Sequence, residues 1–240
     1  MKTTAALAAL LATVMLSTAM AAEPAVNTLT DAEKAAGAKL LFNGKDLTGW
    51  HNFKTDSVKP GWQVKDGTMA CVDPHNAGDI VCADEFTWFQ LDLDFNISEG
   101  GNSGIMYHVS DAGNAVWATG PEFQLEDNVK AGDPQRCGWL YALYQPPIDP
   151  KTSKILDATK PAGEWNHVTL LISPKKCEHI INGVSYFTYV LGSDDFNARV
   201  AKSKFAGMPG FAKAGKGHIS LQGDHGAVAF RNIKVQPLAE

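Results

Sequence analysis

The chain has no Cys-x-x-Cys spacing, no internal repeat, no excess of positive charge and, beyond its apolar leader, no long apolar run. Each absence removes a class of function. Without Cys-x-x-Cys, neither a zinc knuckle nor a thioredoxin-like redox site is expected. Lys and Arg number 21 against 26 Asp and Glu, for a formal net charge of −5. Phosphate binding needs a basic patch, so nucleic acid is not an expected partner. With no second apolar run, no membrane span is expected in the mature protein. Cysteine is scarce: Cys71, Cys82, Cys137 and Cys177. Four cysteines allow three pairings, and their spacing does not choose among crosslinks or free core thiols.

Lys2 followed by apolar Ala5 to Met20 reads as a signal peptide, with Ala19-Met20-Ala21 as a small-x-small cleavage site. We expect residues 1–21 to be removed, with cleavage after Ala22 as the alternative, and the product to be secreted or periplasmic. No cysteine at the cleavage point supports a lipoprotein. Residues 22–38 form a polar, alanine-rich arm in which Thr30-Asp31-Ala32-Glu33 can cap a short helix.

From Lys39 the texture changes to short alternating runs punctuated by Gly, Pro, Asn and Asp, the pattern of an all-β domain over residues 39–237. The clearest strand is 89–97, where Phe89, Leu91, Leu93, Phe95 and Ile97 alternate with Gln90, Asp92, Asp94 and Asn96. Further strands are expected at 105–109, 122–126, 164–173, 178–182, 184–189, 218–222 and 228–235. Asn182-Gly183 between two of them predicts a type I′ hairpin. Two segments break the rhythm. Residues 127–163 form a proline-rich loop of a length that is often functional. Residues 194–205, acidic at the start and basic at the end, predict one short helix in a late connection. Many short strands with long connections imply a two-sheet sandwich.

Strand parity selects candidate residues. If Phe123 and Leu125 face the core, then Glu122, Gln124 and Glu126 share the opposite face, where a carboxyl beside an amide suits acid–base work and hydroxyl recognition. Asp92 and Asp94 lie on the polar face of the clearest strand. If Ile105 and Val109 are core, His108 shares the other face with Gly104 and Met106 and points toward a cleft, as a titratable imidazole would to move protons. His179 reads as structural or rim. Asp224 and His225 sit in a Gly-Asp-His-Gly turn between two strands and could supply a base or a metal ligand pair. Trp139, Tyr141 and Tyr144, in the long loop, could form a lid that stacks on sugar rings.

Ordered blocks over nearly the whole domain carry a resemblance. They are Leu41-Phe42-Asn43-Gly44-Lys45-Asp46-Leu47-Thr48-Gly49-Trp50, Gly101-Asn102-Ser103-Gly104-Ile105, Glu122-Phe123-Gln124-Leu125, Pro161-Ala162-Gly163-Glu164-Trp165-Asn166, Ile181-Asn182-Gly183-Val184 and Phe230-Arg231-Asn232-Ile233. With the Gly223-Asp224-His225-Gly226 turn, the chain resembles the bacterial 3-keto-disaccharide hydrolase domain family. The resemblance implies a concanavalin A-like jelly roll of the lectin/glucanase type and a carbohydrate substrate already oxidised at C3. It favours Asp94 over Asp92 as a site acid. It also implies an upstream sugar 3-oxidoreductase that makes the ketone. Removal of the C2 proton by His108 or His225, with Glu122 as acid for the leaving group, would eliminate the aglycone. Gln124, Asn102 or a divalent metal ion would stabilise the enolate. The family's usual spelling runs Leu-Gln-Asp-His-Gly, and here Gly223 intervenes. A one-residue shift reverses which side chain faces inward, leaving open which of Asp224 and His225 meets substrate. A conventional glycosidase using Glu122 with Asp94 or Glu126, and a non-catalytic lectin-like module, are the competing expectations.

Overall fold

A computed structural model describes residues 25–239; the expected signal peptide and its expected cleavage site fall outside them. In chain order the strands are β1 (Lys39–Leu40), β2 (Trp50–Asn52), β3 (Trp62–Lys65), β4 (Thr68–Cys71), β5 (Ile80–Phe86), β6 (Phe89–Ile97) and β7 (Asn102–Val109). They continue as β8 (Glu122–Glu126), β9 (Asn166–Ile172), β10 (Cys177–Ile181), β11 (Val184–Tyr189), β12 (Gly217–Leu221) and β13 (Val228–Pro237). Helix α1 (Asp31–Ala35) starts at a Thr30–Glu33 capping box in the N-terminal arm. Helix α2 (Asp194–Val200) is capped by Ser193. It stops short of the expected Phe205, because the chain there turns to stack Phe205 on Phe211, 3.9 Å between ring centroids.

Eight strands form one antiparallel sheet in the order β11-β10-β9-β6-β13-β4-β3, with β1 also pairing β13; the other sheet runs β2-β5-β12-β7-β8. Their inner faces share one core in which Leu91, Leu93 and Phe95 of β6 are buried with Ile105 and Tyr107 of β7 and Phe123 and Leu125 of β8. Each such side chain contributes roughly 1.5–3 kcal/mol by leaving water. This is the expected two-sheet jelly-roll sandwich. The Asn182-Gly183 hairpin also forms, with φ of 49° and 79° at its two residues. All four cysteines are buried free thiols. Burial pushes Cys71, Cys82 and Cys177 up to about 11 and Cys137 to about 12, far from a reactive thiolate.

Two irregular registers reassign residues that regular alternation had placed elsewhere. Against β12, His218 pairs with Val109 but Ser220 pairs with Met106, so two residues of β7 oppose one. His108 takes up the extra residue at φ 53°. Ile105 and Tyr107 therefore face the core, whereas Val109 joins Met106 in a separate small cluster. The expectation that His108 points into a cleft is corrected. Its Nε2 donates to the Thr87 carbonyl at 2.7 Å, and Trp88, Phe89 and Tyr107 pack edge-on around its ring. Burial lowers its pKa, so it stays neutral and structural.

The second irregularity lies in β13, where Arg231 pairs with Asp94 and Lys234 with Asp92. Asn232, at φ 53°, fills the surplus. Its amide donates to Asp94 at 2.8 Å, and its backbone and side chain exchange hydrogen bonds with Asn27 of the arm at 2.8 and 2.7 Å. Asp94 also accepts from Arg231 Nε at 3.1 Å and from His167 Nδ1 at 2.8 Å. Burial opposes its charge, but His167, Asn232 and Arg231 outweigh it and hold the carboxyl below the usual range. Asp94 thus clamps a bulge on the outer face of the eight-stranded sheet, and the catalytic expectation for it is corrected. The two carboxylates Asp92 and Asp94 hold His167 up at about 9. Asp94→Ala should cost about 1–3 kcal/mol of stability by stranding these donors, read as a lowered Tm, with kcat within twofold of the parent. A large kcat loss at unchanged Tm would restore Asp94 to the chemistry.

Candidate active site

Strand β8 is the edge of the five-stranded sheet, yet all five of its residues are buried. Phe123 and Leu125 point into the core, so Glu122, Gln124 and Glu126 point outward, as parity predicts. The long loop straps the free edge and covers that outer face. Gln124 N donates to Trp139 O at 3.0 Å, Gly138 N to Gln124 O at 2.7 Å, and Tyr141 N to Glu122 O at 3.0 Å. Across the sheet Gly104 pairs with Gln124, and a Cβ there would collide with the Glu122 carboxyl. The family block Gly-Asn-Ser-Gly thus leaves the room that Glu122 occupies.

A cavity of about 340 Å3 opens over this face. Glu122 and Gln124 form its floor, with Asn102 beside them and Gln222, Asp224 and His225 entering from the turn after β12. Asp133 and Tyr141 come from the strap, Lys204 and Met208 from the segment after α2, and Trp117, more than a third exposed, stands at the rim. Both polar atoms of the Gln124 amide and the Gln222 carbonyl oxygen are buried without a hydrogen-bond partner. Natural interiors rarely leave such groups unmatched unless a ligand or ordered water completes them.

The inserted Gly223 is accommodated by contact. A Cβ would strike the Trp62 indole and the Gly78 carbonyl, and its carbonyl accepts from the Cys71 thiol at 3.0 Å. The turn then brings both of the following side chains to the cavity lining. His225 Nδ1 is hydrogen-bonded to the Asp224 carboxylate. That contact orients the ring and leaves Nε2 available.

Electrostatically the pocket is a crowd of acids. Burial pushes the Glu122 carboxyl up to about 8, Lys204 pulls it back, and Asp79, Asp133 and Asp224 push it further. Asp79, just beneath the Gly223 turn, is raised to about 6 by burial and by Asp224. Glu126 rises to about 7 through burial and Asp133, but it lines a neighbouring smaller cavity. At neutral pH the Glu122 carboxyl is therefore a protonated acid facing the same space as the His225 imidazole.

The model of the 3-keto-alpha-glucoside-1,2-lyase-like domain matches residues 37–236. The chain belongs to that family. It is 28% identical over 239 residues to a 3-keto-disaccharide hydrolase of Bacteroides thetaiotaomicron, covering 85% of this chain and 79% of that one. Among solved structures it is similar to a candidate glycosyl hydrolase from Parabacteroides distasonis, with TM-score 0.79 and 34% identity over 90% of this chain and all of that one. A second candidate glycosyl hydrolase from the same organism gives TM-score 0.62 and 28% identity over 84% of this chain and 99% of that one.

Of the residues expected from sequence, the family fold gathers Glu122, Gln124, Asn102, Asp224, His225 and Tyr141 around one cavity. It does not bring in His108 or Asp94. Trp139 and Tyr144 also fall outside it, which corrects the idea of a three-residue aromatic lid. Trp139 faces two neighbouring surface pockets, because its backbone is the part bonded to β8. Tyr144 donates to Asp195 at 2.6 Å, beneath the Arg199 guanidinium, and stacks on Phe187 and Tyr189. His179, stacked on Phe123 at 4.4 Å and pushed by burial down to about 3, is structural. Lys204, Asp133, Gln222 and Asp79 carried no signal in the sequence. They come from irregular segments or from turns whose neighbours are far off in the chain. No three His, Cys, Asp or Glu side chains among the described residues are grouped to hold a metal ion.

The buried acid also makes a stability prediction. A carboxyl raised from its ordinary value to about 8 favours the folded state below its unfolded pKa, and that advantage is lost as pH rises through the folded value. Glu122→Gln should therefore gain Tm over the parent at pH 9 and show little difference at pH 5. An equal shift at both pH values would mean that Glu122 ionises normally.

Proposed function

We propose that the protein cleaves the glycosidic bond of a glucoside already oxidised to a ketone at C3, with His225 as base and Glu122 as acid. The observation that carries this reading is the pairing, across one cavity, of a carboxyl held protonated with an imidazole oriented by Asp224. The family match and the 3-keto-disaccharide hydrolase among its relatives give it the substrate class.

The C3 ketone acidifies the hydrogen on C2. His225 Nε2 takes that proton, and the C2–H electrons pass to the C3 oxygen as an enolate. The enolate re-forms the ketone, a C1–C2 double bond forms, and the C1–O bond breaks. Glu122 gives its proton to the departing oxygen. Water then adds across the double bond: its hydroxyl joins C1, its proton restores Glu122, and His225 returns a proton to C2. The sum is hydrolysis; release before water adds would be a lyase reaction. Gln124, with both amide atoms unpartnered, and Gln222, with its carbonyl oxygen unpartnered, would bind sugar hydroxyls in this scheme. Asp94 is not available as a second carboxyl for a conventional glycosidase, and Glu126 lines a different cavity. We also place the mature protein outside the cytoplasm, after cleavage behind Ala21, and downstream of an enzyme that oxidises the sugar at C3. No described helix is long and apolar enough to cross a membrane.

The purified protein should release aglycone from a 3-keto-glucoside and not from its unoxidised parent. His225→Ala should lower kcat by about 10²–10⁴-fold. Glu122→Gln should slow alkyl aglycones strongly and spare 4-nitrophenol, which leaves without a proton. Activity of the parent protein on alkyl aglycones should fall as pH rises through about 8, as Glu122 loses its proton. Equal turnover of both sugars, or equal slowing of both aglycones, would overturn the scheme.

A further inference from the structure

The proposed reaction places negative charge on the C3 oxygen of the bound sugar, and most titratable groups around the cavity oppose it. Asp133 and Asp224 line the walls and Asp79 lies behind them. Gln124 and Asn102 offer only neutral donors. Among the described residues one cation lines the cavity, Lys204. It belongs to neither a strand nor a helix, yet it is anchored. Its neighbour Phe205 is buried and stacked on Phe211 at 3.9 Å. Its ammonium sits 4.0 Å from the centre of the Tyr141 ring, whose hydroxyl donates to Asp133 at 2.7 Å. An exposed lysine ordinarily samples many rotamers; this one is held toward the cavity by a cation–π contact with the strap.

We propose that Lys204 is a catalytic residue: its ammonium donates to the C3 carbonyl oxygen and stabilises the enolate formed when C2 loses its proton. The inference rests on the keto-glucoside reading above. No bond to Lys204 forms or breaks. The electron pair from C2–H moves onto the C3 oxygen beside the ammonium and returns to form the double bond as the aglycone leaves. A charge here acts most strongly once sugar has displaced water from the cavity. The same arrangement gives a preference for the ketone over the parent sugar, whose C3 hydroxyl develops no charge.

The test compares Lys204→Met and Lys204→Arg with the parent protein on methyl 3-keto-glucoside. Two rates are read: exchange of the C2 hydrogen for deuterium in D2O by NMR, and release of methanol. Lys204→Met should lower both about 10²–10³-fold at unchanged Tm, whereas Lys204→Arg, which keeps the charge, should stay within tenfold. On an alkyl aglycone the alkaline limb set by Glu122 should also move to higher pH in Lys204→Met, because Lys204 draws that value down. A merely structural lysine would lower Tm and leave C2 exchange by the folded protein unchanged. Lys204→Met within threefold of an active parent would overturn the proposal. So would loss of parent activity with EDTA and its recovery with a divalent ion, which would give the enolate to a metal. A parent inactive on every 3-keto-glucoside, with no C2 exchange, would instead refute the reaction itself.

Discussion

The site depends on one carboxyl kept out of water on the outside of a sheet. Outer faces of sandwiches are ordinarily solvated, and a glutamate there would be ionised and unremarked. Glu122 differs because residues 138–141 bond along the free edge of β8 and roof it over. Gly104 supplies the floor space beside it. The strap thus does for the site what burial in a core does for stability. It lowers the local dielectric and shifts the carboxyl toward its neutral form. It also closes an edge that would otherwise offer unpaired backbone to another chain.

The division of labour between the sheets follows. The eight-stranded sheet carries most of the regular pairing, together with the polar clamp of Asp94, Arg231, Asn232 and His167. The five-stranded sheet carries the cavity. Family blocks therefore mark two different things. Phe-Arg-Asn-Ile encodes a bulge that fastens the N-terminal arm, and Glu-Phe-Gln-Leu encodes the face that floors the cavity.

Legibility of the chain tracked locality. Strand β6 was readable because its alternation runs unbroken for nine residues. The outward set Glu122, Gln124 and Glu126 was readable because β8 is also regular. His108 and Asp94 were misplaced because one-residue bulges change what a side chain meets, and a bulge leaves little trace in hydrophobic pattern. Trp139 and Tyr144 were misplaced because a loop's aromatic content says nothing about which side its backbone turns. Lys204 was invisible, since its place depends on how the segment after α2 lies against the strap, a contact spanning some sixty positions of chain.

The position of β13 has a consequence for how the molecule comes into being. This strand, the last of those described, lies in the interior of the larger sheet, between β6 and β4, and it also pairs with β1. Until residues 228–237 arrive, β3–β4 and β6–β9–β10–β11 are two fragments with no shared ladder, and Asn27 has no Asn232 to grasp. The sheet is a zip whose slider is β13. The larger sheet cannot close before residues 228–237 are present, so during synthesis the segments that precede them stay open and pliable.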